Sequence, residues 1–459
     1  MYALLRAIAG VALRWFYRDI QVEGLERVPR RRPVLLVVNH PNALVDALLV
    51  GWIVPRRVLV TAKSTIFSNP IAALLLRWLG VVPLYRASDI ARSGDTPDPT
   101  RNRDTFRAVH AALKRRGAVL IFPEGKSHDE PSMAPLRTGA ARMALQARDS
   151  GDAAQLAILP IGLVFERKDA PRTRVLVQIG EPIDMDTWRP PSTADSAADA
   201  LTAEIDTRLR AVTMNYATTD DAARAVRLSS LVAALFEEVP PIGVIDRSLG
   251  AEATIARRMD EIAARLPAAD AATRAQADQL VRRLDATQRV AAKHGVLIED
   301  VRISLEHHQA VTFVARESWL LLIAGPIALW GSVNHWLPFR AARVVARRSI
   351  ESAADPAMRT LVAGTAFVIL TYLVQSALVA RLWGPLVAGV YLVSLPIAAD
   401  VNFIMSDRLR RAAHRARTYL LFRRDPLLQE RLAAELDTLR DDVLSFDRVL
   451  GDRALGTTV

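Results

Sequence analysis

Apolar positions along this chain follow more than one period. From residue 20 to about 190, short runs rich in β-branched residues alternate with helical stretches. The runs are Pro33 to Val38, Val58 to Thr61, Ala118 to Phe122, Leu156 to Phe165 and Arg174 to Ile179; the helical stretches include Ala43 to Ile53 and Thr138 to Ala147. This alternation predicts an α/β unit, a largely parallel or mixed sheet flanked by helices. Ahead of it, Leu4, Leu5, Ile8, Val11, Ala12, Trp15 and Phe16 recur at helical spacing, with Arg6, Arg14 and Arg18 on another face. Residues 1–19 therefore read as an amphipathic helix lying in a membrane interface, with a core-packing helix as the alternative. Arg14 interrupts what would be the apolar core of a signal peptide.

Residues 193–315 are rich in Ala and Arg, with helical periodicity broken at Pro240-Pro241 and Pro267. Thr254 to Leu266 and Ala271 to Val290 are expected to pack as a helical hairpin. The segment reads as a spacer; a lid, a docking site or an acyl-chain groove are the alternatives.

Residues 316–400 change character again. Trp319 to Trp336 is an uncharged run, Thr360 to Ala380 is a second, and Leu382 to Ala399 follows after Arg381. A spanning helix needs about 20 apolar residues, which marks this region as membrane-embedded. Arginines flank the runs: 340, 343, 347, 348 and 359 before the second, and 408, 410, 411, 415, 417, 423 and 424 after the third. Both flanks are expected on the cytoplasmic side. Residues 360–399 then form a spanning hairpin turning at Arg381 to Pro385, and residues 319–336 enter and leave on one side. Gly325-Pro326 fits such a re-entrant element; three plain spans are the alternative. Residues 401–459 form a basic juxtamembrane segment followed by an amphipathic helix over Leu427 to Val449.

Charge and composition narrow the partners. The formal net charge of +11 permits nucleic acid or anionic lipid. Much of the excess lies beside the apolar runs, and no aromatic-interleaved basic stripe occurs, so it is assigned to lipid and not to nucleic acid. The absence of cysteine excludes a cysteine nucleophile and thiolate metal sites. The adjacent His307-His308 lacks ligand-like spacing, and no metal is expected.

Chemistry-bearing residues follow the predicted strands, as expected at the carboxyl ends of a parallel sheet. After the first strand comes Asn39-His40-Pro41-Asn42-Ala43-Leu44-Val45-Asp46. A turn at Pro-Asn can fold Asp46 back to His40, and a histidine so oriented can take a proton from an alcohol. A purely structural His and Asp is the alternative. The third strand opens into Phe122-Pro123-Glu124-Gly125-Lys126-Ser127-His128-Asp129, and Pro135-Leu136-Arg137-Thr138-Gly139 begins a helix. Ser127, His128 and Asp129 cannot form a triad, because the side chains of consecutive residues do not converge in those roles. Between these motifs, Gly80 to Arg86 ends an apolar run with an arginine; Arg86 and Arg137 both suit phosphate.

The order of motifs resembles the glycerolipid acyltransferases, the family of lysophosphatidate and glycerol-3-phosphate acyltransferases. The features that carry the resemblance are His40 with Asp46, Gly80 with Arg86, Phe122 to Gly125 and Leu159-Pro160-Ile161. Five residues separate His40 from Asp46 where that family commonly has four, and Lys126-Ser127-His128-Asp129 replaces the common Thr-Arg-Ser. Both departures look like the membrane-bound glycerol-3-phosphate or dihydroxyacetone-phosphate acyltransferase branch.

The resemblance covers residues 20–192 as an acyltransferase domain. It implies His40 and Asp46 as the base pair, with Asn42, Arg86, Glu124, Gly125, Ser127, His128 and Arg137 around the substrate. It also implies acyl-CoA or acyl carrier protein as co-substrate, no other cofactor, and a phosphorylated glycerol or lysolipid acceptor. The location it implies is a membrane, the inner one if the source is bacterial, with the catalytic face cytoplasmic and held against anionic lipid. Another acceptor (a lysophospholipid, an aminolipid or a sugar lipid) and an inactive membrane scaffold are the alternatives.

Overall fold

The computed structural model describes residues 2–63, 80–84, 103–151, 153–168, 170–192, 196–236, 248–348 and 356–450, with Phe67, Ala73, Leu74 and Leu76. The chain divides into two compact units, residues 1–218 with 344–365, and residues 219–343 with 366–459.

The first unit begins with helix α1 (Tyr2–Phe16) and strands β1 (Asp19–Glu23) and β2 (Val34–Val38). It continues through α2 (Ala43–Ile53), β3 (Val58–Lys63), β4 (Val81–Leu84), α3 (Arg103–Lys114), β5 (Ala118–Ile121) and α4 (Gly139–Asp149). The remaining elements are β6 (Ala157–Phe165), β7 (Arg174–Ile179), β8 (Ile183–Asp184) and α5 (Ala197–Arg210). The sheet order is β1-β7-β6-β2-β5-β3-β4, with β8 on β6. All pairs are parallel except β6 with β7 and with β8.

β2 is buried along its whole length, as a central parallel strand covered on both faces must be. Its alternate residues feed two cores. Val34, Leu36 and Val38 face one cluster and Leu35 and Val37 the other, which follows from the two-residue period of a strand. β6 is shared: residues 157–161 pair with β2, and residues 161–165 turn to β7. Pro160, which lacks an N–H, sits beside that change of partner.

Two expectations shift in this unit. α1 docks on the core, burying Leu13 and Phe16, and Gly10 lies so close to Trp52 that a Cβ would meet the indole nitrogen at 2.2 Å. Arg6 does not sit on a free polar face; it donates to Trp52 O (2.7 Å) and Val54 O (3.0 Å), carbonyls at the open end of α2. Leu4 stays exposed. Nor does the unit stop at residue 192. Leu201, Ile205 and Leu209 of α5 repeat every four residues and are fully buried, the first two in the second sheet core.

The second unit contains α6 (Thr219–Phe236), α7 (Leu249–Arg265), α8 (Ala271–Lys293) and α12 (Pro426–Leu450) around one apolar cluster. The expected α7–α8 hairpin is replaced by closer pairings of α6 with α7 and of α8 with α12. Arg283 holds Glu435 at 2.9 Å across the α8–α12 seam, and Arg258 of α7 holds Asp447 of α12 at 2.9 Å. Three further helices are long and apolar enough to cross a membrane: α9 (His307–Arg348), α10 (Pro356–Trp383) and α11 (Pro385–Arg424). Gly384, at φ +88°, alone separates α10 from α11, within the turn expected at Arg381 to Pro385. α9 is one unbroken helix with Pro326 and Pro338 inside it, so Gly325-Pro326 does not end the element. Pro240-Pro241 lies outside the described residues.

Gly162 shows how tightly the end of the first unit closes on β6: a Cβ there would meet Val212 O at 1.8 Å. Gly162→Ala is expected to destabilise the protein by at least about 1–3 kcal/mol, the usual cost of overpacking, as a lowered thermal unfolding midpoint in detergent. An unchanged midpoint would mean that residues 211–213 do not close on the sheet.

Candidate active site

Three adjacent strands bring their carboxyl ends together. β2 delivers His40, β5 delivers Phe122 to Asp129, and β6 delivers Lys168 three residues past its end. Beyond the last β2–β6 pair, Asn39 extends the contact with its side chain: Nδ2 donates to Leu163 O (3.1 Å) and Oδ1 accepts from Leu163 N–H (2.7 Å).

His40 and Asp46 do meet. Nδ1 of His40 lies 3.0 Å from Asp46 Oδ2, which also accepts the Asn42 N–H at 2.8 Å. The imidazole stacks on Phe122, with ring centroids 3.7 Å apart and planes 14° from parallel. Asp46 is fully buried, and that burial pushes its pKa above the ordinary aspartate value while the hydrogen bond and charge of His40 pull it back. Its Oδ1 is buried and meets no hydrogen-bond partner among the described residues. The carboxyl group is thus aimed at the imidazole through one oxygen, a geometry that can fix the ring tautomer.

The loop between them carries an unusual backbone. Ala43, the first residue of α2, has φ +46°, a left-handed conformation that costs an alanine about 1–2 kcal/mol. Partners surround the loop on every side. Ser127 Oγ accepts the Ala43 N–H (3.1 Å), and Glu124 Oε1 accepts the His40 N–H (2.8 Å). Lys168 Nζ donates to Pro41 O (2.9 Å) and His128 O (3.2 Å) and pairs with Asp129. Asn42 Nδ2 donates to Tyr17 Oη and to Lys168 O, each at 3.1 Å. Burial holds the Tyr17 phenol far above its ordinary pKa, so it stays neutral.

These contacts sort the predicted residues. Glu124 is buried, with Oε1 on His40 N–H and Oε2 on His128 and the Ala134 N–H (2.8 Å). Its hydrogen bonds, like those of Asn42, Ser127 and His128, run to the loops that frame His40. Gly125 takes φ +75°, a turn that suits glycine. The exposed Arg137 passes beside it, its Cγ 3.6 Å from where a Cβ on Gly125 would stand, and its N–H bonds to Pro123 O at 2.8 Å. Arg86 lies outside the described residues. Tyr17 and Lys168 were not anticipated. Lys168 obeys the same strand-end rule as His40 and Glu124, whereas the buried role of Tyr17 has no local signal.

Residues 19–164 match the family model described as Acyltransferase. The chain carries an acyltransferase domain. Over 85 residues it is 41% identical to glycerol-3-phosphate O-acyltransferase 2 of Saccharomyces cerevisiae, covering 18% of this chain and 11% of that protein. Over 190 residues it is 27% identical to a 1-acyl-sn-glycerol-3-phosphate acyltransferase of Cocos nucifera, covering 39% and 55%. The chain thus spans only part of the length of these relatives. The crystal structure of the 1-acyl-sn-glycerophosphate acyltransferase PlsC from Thermotoga maritima aligns at 20% identity and a TM-score of 0.34, covering 45% of this chain and 78% of that one.

Within the acyltransferase domain the clamp on the loop can be tested by stability. Ala43→Gly is expected to change the unfolding free energy by less than about 0.5 kcal/mol, because relief of the left-handed strain offsets the entropy of glycine. Ala47→Gly, one turn further into the same helix, should cost about 1 kcal/mol. Ser127→Ala strips the Ala43 N–H of its acceptor and should cost about 1 kcal/mol. Equal losses at residues 43 and 47 would show that Ala43 is not strained.

Proposed function

We propose that the protein is a membrane-bound O-acyltransferase that moves a fatty acyl group from a thioester, acyl-CoA or acyl carrier protein, to a hydroxyl of glycerol 3-phosphate or lysophosphatidate. The observation that carries the reading is the buried 3.0 Å contact between His40 Nδ1 and Asp46 Oδ2, set at the carboxyl ends of β2 and β5. The names of the relatives support the acceptor class.

In this mechanism His40 Nε2 takes the proton of the acceptor hydroxyl as its oxygen attacks the thioester carbonyl carbon. Collapse of the tetrahedral adduct breaks the carbon–sulfur bond, and the proton passes from the imidazole to the departing thiolate. Asp46 holds the ring in the tautomer that receives the proton at Nε2 and stabilises the imidazolium. Glu124, Ser127 and Lys168 act through the loop and position the base. Arg137 beside Gly125 supplies an exposed guanidinium for the acceptor phosphate, and Arg86 serves as its second cation. A fatty thioester and a lysolipid product both favour a site at a bilayer surface, in keeping with the apolar helices of the same chain.

Detergent-purified protein incubated with acyl-CoA or acyl carrier protein donors and with glycerol 3-phosphate, dihydroxyacetone phosphate or lysophosphatidate should give acylated lipid detectable by mass. His40→Ala should lower kcat by about 10²–10⁴-fold, the usual contribution of a positioned base. Arg137→Ala should raise KM for the phosphorylated acceptor about tenfold or more and leave the donor KM unchanged, since an anchoring charge to phosphate contributes on the order of 1.5–3 kcal/mol. No product from any acceptor would remove the proposal, and an unchanged acceptor KM would remove the phosphate assignment.

A further inference from the structure

We infer that α9 is a membrane helix that does not cross: its two ends lie on one face of the bilayer, so that only the α10–α11 hairpin crosses. The inference rests on the three apolar helices being membrane segments and is independent of acyl transfer.

The first argument is the order of contacts along α11. Near its start, Glu317 of α9 accepts two hydrogen bonds from Arg408, each 2.7 Å. Thirteen residues on, Trp330 donates to Ser394 at 3.3 Å and packs edge-on against Tyr391, and Asn334 accepts from the Tyr391 hydroxyl at 2.7 Å. The partner has moved from residue 408 to residue 391, about 25 Å along α11 towards the Gly384 turn. Gly331, next to Trp330, lies against Ala398, where a Cβ would meet the carbonyl at 2.1 Å. Further on, Phe339 packs on Phe403 with centroids 5.5 Å apart, so the contacts of α9 do not go on from residue 391 to the Gly384 turn. Glu317 and Phe339, on either side of the apolar stretch, both meet α11 within five residues, at 408 and 403, whereas a helix crossing the bilayer beside α11 would follow it along its length.

The second argument is parity. Val301 and Ile303, just ahead of α9, share one apolar cluster with Phe422 at the end of α11 and with Leu432, Leu436 and Leu439 of α12. The α8–α12 seam of that cluster bears the half-buried charged pairs Arg283–Glu435 and Arg283–Asp442, which belong at a surface that meets water. Its two parts come from before and after the membrane segments and must lie on one side of the membrane, which requires an even number of crossings among three candidate helices. α10 and α11, joined by one glycine, provide two; α9 provides none.

Contacts within the helix and with its neighbours also account for the polar residues of α9. Asn334 Nδ2 donates to Trp330 O (2.9 Å), His335 Nδ1 contacts Gly331 O (2.8 Å), and His335 Nε2 lies 2.6 Å from the Tyr372 hydroxyl of α10. Polar side chains at membrane depth are tolerated where protein groups satisfy them, and Asn334 and His335 are both buried.

The chain has no cysteine, so single cysteines report without background. His307→Cys, Arg343→Cys, Val333→Cys, Leu386→Cys and Thr438→Cys replace exposed side chains. Each variant is expressed, and sealed membrane vesicles are treated with a membrane-impermeant maleimide before and after permeabilisation. The expected result is that residues 307, 343 and 438 label from one side, residue 386 labels only from the other, and residue 333 reacts from neither until a lipid-soluble maleimide is used. Labelling of 307 and 343 from opposite sides would overturn the inference in favour of a full span. Labelling of 333 by the aqueous reagent as readily as 307 would overturn it in favour of a helix lying outside the bilayer. Recovery of the chain outside the membrane fraction would overturn it together with the membrane reading itself, without touching the catalytic proposal.

Discussion

The arrangement around His40 depends on one buried carboxyl group. Glu124 sits where β5 ends, one strand over from β2, and one of its oxygens takes the backbone N–H of His40. A carboxyl group at that depth is tolerable only when its oxygens are hydrogen-bonded, and His128 and the Ala134 N–H engage the other one. The glycine turn after Glu124 is thereby folded back over the His40 loop, and the loop is held against the strand that carries it. Parallel pairing of β2 with β5 and β6 makes this possible, because it alone brings three strand ends to the same edge.

Given that frame, the remaining polar groups behave as a set of mutual satisfactions. Ser127 and Lys168 each answer a backbone group of the loop between His40 and Asp46, and Asn42 of that loop donates to Tyr17. The left-handed Ala43 is a local cost of the loop, and the hydroxyl of Ser127 is what its N–H finds. The His40–Asp46 loop and the serine that follows the Gly125 turn therefore belong to one structural solution.

Much of this was legible in the sequence, for reasons that differ by element. The buried strands announce themselves by β-branched runs, and the His40–Asp46 pair by its spacing after one of them. Glu124, Ser127 and His128 stood out as polar residues at a strand end, yet nothing local says that their partners are backbone N–H groups and not a ligand. α5 shows its apolar stripe plainly at Leu201, Ile205 and Leu209, but a stripe does not name the core it will join. The pairing of α8 with α12 links residues more than a hundred positions apart through Arg283 and Glu435, a choice that periodicity does not encode. Pro326 signalled a disturbance in α9, and whether such a residue bends or breaks a helix is decided by what surrounds it.

The composition of the helical bundle has a consequence for biogenesis. α6, α7 and α8 are synthesised before the membrane segments, whereas Leu432, Leu436 and Leu439, which complete their apolar cluster, are synthesised after them. Until the last helix arrives, the first three expose an unfinished hydrophobic face. That helix reaches them only when the segments before α9 and after α11 lie together, so the apolar cluster of the bundle is completed last, after the long apolar helices have been made.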